Sequence, residues 1–253
     1  MTPNLLILSG TMEATALARA VAEAGIAGTV SFAGRVERPV RQPLPQRVGG
    51  FGGVAGLRTF LEDSRITHVV DATHPFAAQM SRNAITACAE AGVPLIALTR
   101  PPWQSQPGDD WIRVPDIAGA VAALDQPARR VMLAVGRMHL ADFAPNPQHF
   151  YLLRLVDPPK EALPLPRTEV VVSRGPFTEA CDRALMERHR IDLVVSKNAG
   201  GKGAEAKIAA ARALGLPVIM IDRPAIPQRP EVNSPQDVLA WLGHPASNTD
   251  RGV

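Results

Sequence analysis

Residues 4–25 read NLLILSGTMEATALARAVAEAG, and this stretch decides the fold. Asn4 to Ser9 is an apolar run that stops at Gly10-Thr11, and Glu13 to Ala24 then repeats apolar residues at helical spacing until Gly25. The order is strand, tight turn, helix. In a parallel α/β sheet such a turn lies beyond the carboxyl end of the strand, where the first N–H groups of the helix face an anion such as phosphate.

Outward from residue 25 the alternation recurs. A strand at 29–32 is followed by an Arg/Pro loop to residue 46, a Gly-rich stretch at 49–53 and a helix through 63. A strand at 66–72, a helix from 74 to about 91 and a strand at 94–99 complete the first half, with Pro75 suited to a first helical turn. After a polar, Pro-rich loop at 100–110 come a strand at 111–114, a helix at 116–124, and strands at 130–135, 150–156 and 169–173. A helix at 178–190, a strand at 192–196, a helix at 204–214 and a strand at 218–221 follow. Ser234 as N-cap, Pro235 and Asp237 open a terminal helix ending at Gly243.

Strands alternating with helices predict parallel βαβ units in sheets covered on both faces. The 253 residues suffice for two cores of ordinary size. The expected fold class is therefore α/β, two Rossmann-like domains with parallel sheets and an active-site cleft between them. The domains expected are 1–112 and 113–245, with a polar tail at 246–253. The segments near 111–114 and 234–243 lie at the seams and are free to pack on the other domain. The shared alternation also allows the halves to be distant structural duplicates.

Composition narrows the function. Hydrophobic residues make up 46% and charged residues 20%, as in folded globular proteins, and every apolar run is far shorter than the roughly 20 residues a membrane helix needs. The N-terminus carries no basic region followed by an apolar one, so the expected location is cytoplasmic. Cys88 and Cys181, the two cysteines, have no Cys or His near them at metal-ligand spacing; both read as buried thiols, and no metal is expected. A net charge of +3 and 4% aromatics give no base-stacking platform, so nucleic acid is not an expected partner.

The chemistry-bearing residues stand at strand ends. Ser9, Gly10, Thr11, Glu13 and Ala14 form the first turn, which reads either as a phosphate cradle or as a plain turn with Thr11 capping the helix. After the second strand, Phe32-Ala33-Gly34-Arg35 presents Arg35 where NAD-preferring folds carry Asp or Glu for the ribose, so Arg35 is suited to a 2′-phosphate, and the neighbours Arg38 and Arg41 allow a solvated loop arginine instead. Asp71-Ala72-Thr73-His74-Pro75-Phe76-Ala77 gathers polar groups at a strand end where nicotinamide or ribose would lie; taken singly, Asp71 could equally cap structure and His74 be a loop histidine. Of four lysines, Lys197, Lys202 and Lys207 fall in one strand-loop-helix segment around Gly200 and Gly201. This segment fails as a P-loop because Gly203 replaces the hydroxyl residue after Lys202. With Ser173-Arg174-Gly175 and Gly136-Arg137-Met138-His139 it makes three basic strand ends suited to carboxylates.

Together these segments resemble the precorrin-6A reductase family of cobalamin (corrin) biosynthesis, from residue 4 to about 243. The resemblance rests on Leu8-Ser9-Gly10-Thr11-x-Glu13-Ala14, on Asp71-Ala72-Thr73-His74-Pro75-Phe76-Ala77 with Ser81 and Asn83, on Ser173-Arg174-Gly175-Pro176-Phe177, and on Ser196-Lys197-Asn198-x-Gly200-Gly201. The first motif commonly has Gly where this chain has Ser9. The resemblance implies an NADPH-dependent oxidoreductase that reduces one double bond of the precorrin-6A macrocycle to give precorrin-6B. It implies NADPH on the first domain, at Ser9, Gly10, Thr11, Glu13, Ala14, Asp71, Ala72, Thr73 and Phe76, to which the reading of the second strand end adds Gly34 and Arg35. It implies the polycarboxylate tetrapyrrole on the second, at Ser173, Arg174, Gly175, Lys197, Gly200 and Gly201 together with His74, to which the basic strand ends add Arg137 and Lys202. His74, Lys197 and bound water are the candidate proton donors. Hydride transfer asks for positioning rather than a nucleophilic triad or metal. Transient contact with neighbouring pathway enzymes is also allowed for.

Rival readings are a cobalt-precorrin-6A reductase using NADH, a two-domain nucleotide-sugar or transferase enzyme, and a non-catalytic nucleotide sensor. Arg35 weighs against NADH.

Overall fold

The computed structural model describes residues 2–34, 41–173, 175 and 177–243. Arg35 and Arg174 lie outside the described residues, as does the expected tail at 246–253. In chain order the elements are β1 (Asn4–Leu8), α1 (Met12–Glu23), β2 (Ala27–Phe32), β3 (Gln46–Val48), α2 (Gly53–Asp63), β4 (His68–Asp71), α3 (Ala78–Ala91) and β5 (Leu95–Leu98). Then follow β6 (Asp110–Val114), α4 (Ile117–Ala123), β7 (Arg130–Ala134), two 3-10 turns (Arg137–His139 and Ala141–Phe143), β8 (Phe150–Leu155) and β9 (Thr168–Val172). The chain ends with α5 (Glu179–Arg188), β10 (Leu193–Lys197), a 3-10 turn (Lys202–Ala204), α6 (Ala206–Ala213), β11 (Pro217–Ile221), β12 (Glu231–Val232) and α7 (Pro235–Gly243).

These elements build two all-parallel sheets of six strands, ordered β12-β5-β4-β1-β2-β3 and β6-β11-β10-β7-β8-β9. The α/β class and the two Rossmann-like sheets expected from the alternation are present. One compact unit takes its residues from Met1–Arg100 and Ala225–Val253, the other from Pro101–Pro224. The division after Arg100 differs from the expected one after residue 112. The reason is pairing: β6 lies against β11, with Ile112 opposite Ile219, and so belongs to the second sheet. At the other seam β12 pairs with β5, and α7 buries Val238 and Leu242 in the core of the first unit.

The two connections are reciprocal. The chain leaves β5 to supply the second sheet with its edge strand β6, and leaves β11 to supply the first with its edge strand β12. Each sheet reverses direction at the same place. From β1 the chain moves outward to β2 and β3 and returns on the other side of β1 as β4; from β7 it moves to β8 and β9 and returns as β10. The β1/β4 and β7/β10 strand ends are therefore the switch points at which such sheets bind ligands.

Burial follows from strand alternation. Leu5 and Ile7 face the core beneath α1 and α7, whereas Leu6 and Leu8 face the core beneath α2 and α3, so β1 is covered on both faces. Helix α1 buries Ala14, Leu17, Ala18 and Val21, the i, i+3, i+4, i+7 stripe read from the sequence. In the second unit β10 is buried from Leu193 to Ser196, and α6 lays Ile208, Ala210 and Ala211 against its sheet. Cys88 is buried but Cys181 is exposed, correcting the expectation for the second thiol: it sits in the first turn of α5 on the side away from Met186, the apolar residue that helix buries. Among the described residues no helix is long and apolar enough to cross a membrane.

Candidate active site

At the β1/β4 switch point the turn is held by one hydroxyl. Thr11 Oγ1 accepts from Ala14 N–H at 3.2 Å, capping α1, and donates to the Ala72 carbonyl at 2.9 Å, tying the end of β1 to the end of β4. The capping reading of Thr11 is met, and the cap also fixes the turn. Gly10, at φ +156°, brings its Cα side close to the His74 backbone, 3.9 Å from where a Cβ would stand. Ser9 is buried and its N–H donates to Ser31 O, so its place in the loop carries no exposed side chain. The first-turn N–H groups that the Thr11 cap does not take have no partner within the helix and face the turn.

Asp71 ends β4 and is 2% exposed. Its Oδ1 accepts from Thr73 N–H at 3.1 Å and Thr73 Oγ1 at 2.6 Å; Oδ2 accepts from Ser81 Oγ at 2.6 Å and from the Arg229 guanidinium. Its carboxylate is thus engaged within the protein, and what it offers a ligand is the shape of the turn. That turn replaces the first helical turn expected at His74-Pro75: α3 starts at Ala78, and its Ala77 cap has no side-chain hydrogen bond. Ser81, one turn in, reaches back to Asp71 instead. His74 Nδ1 accepts from Phe76 N–H at 3.2 Å, and the two rings lie 5.8 Å apart. A donor aimed at Nδ1 requires a lone pair there, which puts the ring proton on Nε2.

Thr11, Glu13, Thr73, Pro75, Leu98, Thr99 and Arg100 line a shallow depression over these strand ends. Glu13, whose charge in the first turn of α1 would repel an anion, is paired with Arg100 at 2.6 Å. At the second strand end Gly34 takes φ +76°. Arg47, which the sequence did not single out, donates there to Ser31 Oγ at 2.8 Å and to the Gly49 and Gly50 carbonyls at 3.0 and 3.1 Å, with its guanidinium 3.8 Å from the Phe51 ring centre. It shapes the Gly-rich loop.

In the second unit the segments singled out from sequence follow different strands. Arg137 is exposed in the turn after β7; Ser173 and Gly175 follow the edge strand β9; Lys197 ends β10 and is half-buried; Lys202 is exposed. Gly200 and Gly201 take φ +68° and +70°. A Cβ at Gly200 would stand 2.1 Å from the Pro101 carbonyl, so only glycine fits, and the residue serves packing first. Asn198 clamps the Trp103 backbone, accepting from its N–H at 2.8 Å and donating to its carbonyl at 3.0 Å. Trp103 Nε1 donates to Gly201 O at 2.9 Å, and Arg223 donates to the carbonyls of Asn198 and Ala199, both at 3.0 Å. Lys207 is buried against the Trp103 ring. Half of this basic segment is therefore a clasp on the connection that enters the unit.

Sequence reasoning missed Arg229, Arg100, Arg47, Trp103 and Arg223. Each works through a partner remote in sequence or through backbone carbonyls, and neither leaves a local motif. Among the described residues no cluster of three or more His, Cys, Asp or Glu is placed to hold a metal.

The family model for "Precorrin-6x reductase CbiJ/CobK" matches residues 4–243. The chain is 56% identical over 250 residues to a precorrin-6A reductase of Rhodobacter capsulatus, covering 99% of each protein, and 47% identical to one from Sinorhizobium, covering 96% of this chain and 93% of the relative. A cobalt-precorrin-6A reductase of Priestia megaterium is 31% identical, covering 88% of this chain and 91% of the relative. A solved structure of CobK precorrin-6A reductase superposes with a TM-score of 0.93 at 56% identity, over 99% of this chain and 100% of that one. With a family model spanning both sheets, and relatives alike along nearly their whole length, the chain belongs to the precorrin-6x reductase CbiJ/CobK family.

Proposed function

We propose that the chain reduces precorrin-6A, taking hydride from NADPH and adding it with a proton to one double bond of the macrocycle to give precorrin-6B in cobalamin biosynthesis. The observation that carries the reading is the β1/β4 switch point. A helix N-terminus, a glycine turn and the Thr73–Phe76 loop meet there around a depression, in a chain of this reductase family. That arrangement fits a nicotinamide dinucleotide: first-turn N–H groups of α1 for the pyrophosphate, Arg100 neutralising Glu13, and the turn ordered by Asp71 for the nicotinamide half. When bound, the cofactor supplies hydride. The chain's own residues bind and orient.

NADPH is favoured over NADH because the second strand ends in Phe32-Ala33-Gly34-Arg35, with no carboxylate to accept the ribose hydroxyls and with an arginine for a 2′-phosphate. Arg137, Arg174, Lys197 and Lys202, drawn from three separate strand-end segments of the sequence, supply cations for the acetate and propionate arms of a tetrapyrrole. Of the two side chains among the candidate proton donors Lys197 is the better suited chemically. His74, holding a lone pair toward Phe76 N–H, would lose that hydrogen bond on becoming imidazolium, whereas an ammonium carries its proton without such a change. The 56% and 47% identities to cobalt-free enzymes, against 31% to a cobalt-precorrin enzyme, favour the cobalt-free substrate.

The test is anaerobic assay of precorrin-6A with NADPH or NADH, for wild type and Arg35→Ala. The expected result is matched loss of NADPH and change of pigment, slower reaction with NADH, and a KM for NADPH raised at least about tenfold in the variant, the scale of a lost charge-assisted pair. No oxidation of either nucleotide by the folded enzyme would reject the reading.

A further inference from the structure

Both units hold the loop that enters the helix after the edge strand in the same way, with a guanidinium on a phenylalanine ring. In the second unit Arg154 of β8 lies 4.2 Å from the centre of the Phe177 ring, and Phe177 directly precedes Thr178, the cap of α5. In the first, Arg47 of β3 lies 3.8 Å from the centre of the Phe51 ring, and Phe51 directly precedes Gly52, the cap of α2. The charges are treated differently. Arg154 is paired with the buried carboxylate of Asp182 and so is neutralised within the protein. Arg47 meets only neutral acceptors, Ser31 Oγ and the Gly49 and Gly50 carbonyls, and among the described residues no carboxylate pairs with it. Partial burial lowers the pKa of its guanidinium, with no charged neighbour to offset the effect. Holding such a loop does not call for a free charge, since the second unit does it with a neutralised one. A half-buried cation without a counter-charge costs stability and asks for an anion.

The donor count says how that anion would be held. Of the five N–H groups of a guanidinium, Nη1 gives two, to Ser31 Oγ and Gly49 O, and Nη2 gives one, to Gly50 O. Nε–H and one Nη2 N–H remain, which is the pair of donors that a bidentate phosphate contact uses. The bond to exposed Gly50 puts the Nη2 end at the surface. Space is open there: a Cβ at Gly50 would meet nothing within 4 Å, and Gly50 takes no positive φ, so neither packing nor backbone asks for glycine at this position. The place is the end of β2. Ser9 N–H donates to Ser31 O at 2.9 Å, so the turn after β1 adjoins the residue whose hydroxyl holds Arg47, and Gly49 N–H donates to Phe32 O at 2.9 Å. A dinucleotide with its pyrophosphate on the β1 turn brings its adenosine ribose to the end of β2.

We propose that Arg47 is a specificity-determining residue for the cofactor, its two remaining N–H groups taking a phosphate on the ribose 2′ oxygen. A nucleotide without that phosphate brings no anion to the charge. The inference rests on the proposed nicotinamide site and adds to it a cation fixed by β3, separate from the arginine expected after Gly34.

The experiment is calorimetric titration of the full chain with adenosine 2′,5′-bisphosphate and with 5′-AMP, which differ only in the 2′-phosphate, for wild type, Arg47→Met and Arg47→Lys, with thermal melting to verify folding. Wild type should bind the bisphosphate at least about tenfold more tightly than AMP. Arg47→Met should lose most of that ratio while its affinity for AMP stays within about twofold, and Arg47→Lys, which keeps the charge without the fork, should recover part of it. An equal loss for both nucleotides in the two variants would mean that Arg47 only shapes the loop, and it overturns the proposal, as does an unchanged ratio. A wild type that binds both nucleotides equally, or neither, rejects instead the NADPH reading on which the proposal rests.

Discussion

Thr11 shows how much one side chain at a switch point carries. Its single oxygen closes α1 and joins β1 to β4, so Thr11→Val, which keeps the shape and removes the hydroxyl, should cost about 1–2 kcal/mol of stability and raise the KM for NADPH more than it lowers kcat. Urea unfolding and steady-state kinetics on one preparation check both. Cys88 gives a pH signature. Burial in α3 foremost, and the Asp71 carboxylate second, push its thiol up from 9.0 to about 12. The folded state holds this proton more tightly than the unfolded one, so the contribution is present below about pH 9 and is lost as pH rises toward 12. The urea midpoint of wild type relative to Cys88→Ala should accordingly fall between about pH 8 and about pH 10.5; a constant difference would mean the thiol titrates normally. Thr11, Asp71 and His74 were legible as candidates because polar residues gather at strand ends, although each read equally as a cap or a loop residue. What their atoms touch was not. Asp71 meets a guanidinium 158 residues away, and no local pattern encodes such a partner.

At the scale of elements, the first strand, turn and helix were readable because alternation, glycine and a capping threonine agree. The start of α3 was misplaced by four residues. Pro75 fits a first helical turn, but the Asp71 carboxylate captures Thr73 and Ser81 and holds the intervening residues in an irregular turn. β3 and β12 escaped notice because three and two residues show no period. The segment before β12 is nevertheless decisive for the Thr73–Phe76 turn, since the buried Arg229 guanidinium neutralises the buried Asp71 carboxylate. Arg229→Met would leave a buried carboxylate without its counter-charge and should cost about 3–5 kcal/mol, with NADPH affinity falling as the Thr73–Phe76 turn loosens. Adding Asp71→Asn should restore part of the stability. If Arg229→Met alone melts like wild type, the pair does not hold the turn.

For the whole molecule, length and alternation sufficed to foresee two parallel sheets, and the possibility of duplication was visible in their shared order. The reciprocal exchange of edge strands was not visible, because β6 and β12 would read the same whichever sheet they joined. Pairing to β11 and β5 is decided by tertiary burial rather than by propensity. Half of the second unit's glycine-and-lysine segment proved to be a clasp on Trp103 for the same reason: a sequence shows which groups can donate, and only the fold shows which have been used. The central claim is that the chain moves hydride from NADPH to the macrocycle. It is tested most directly by running the reaction with NADPH deuterated at the transferable position of C4 and weighing the product. Transfer predicts a product that has gained one deuterium from the cofactor and one hydrogen from water, whereas a pigment that gains no deuterium while NADPH is consumed would contradict it.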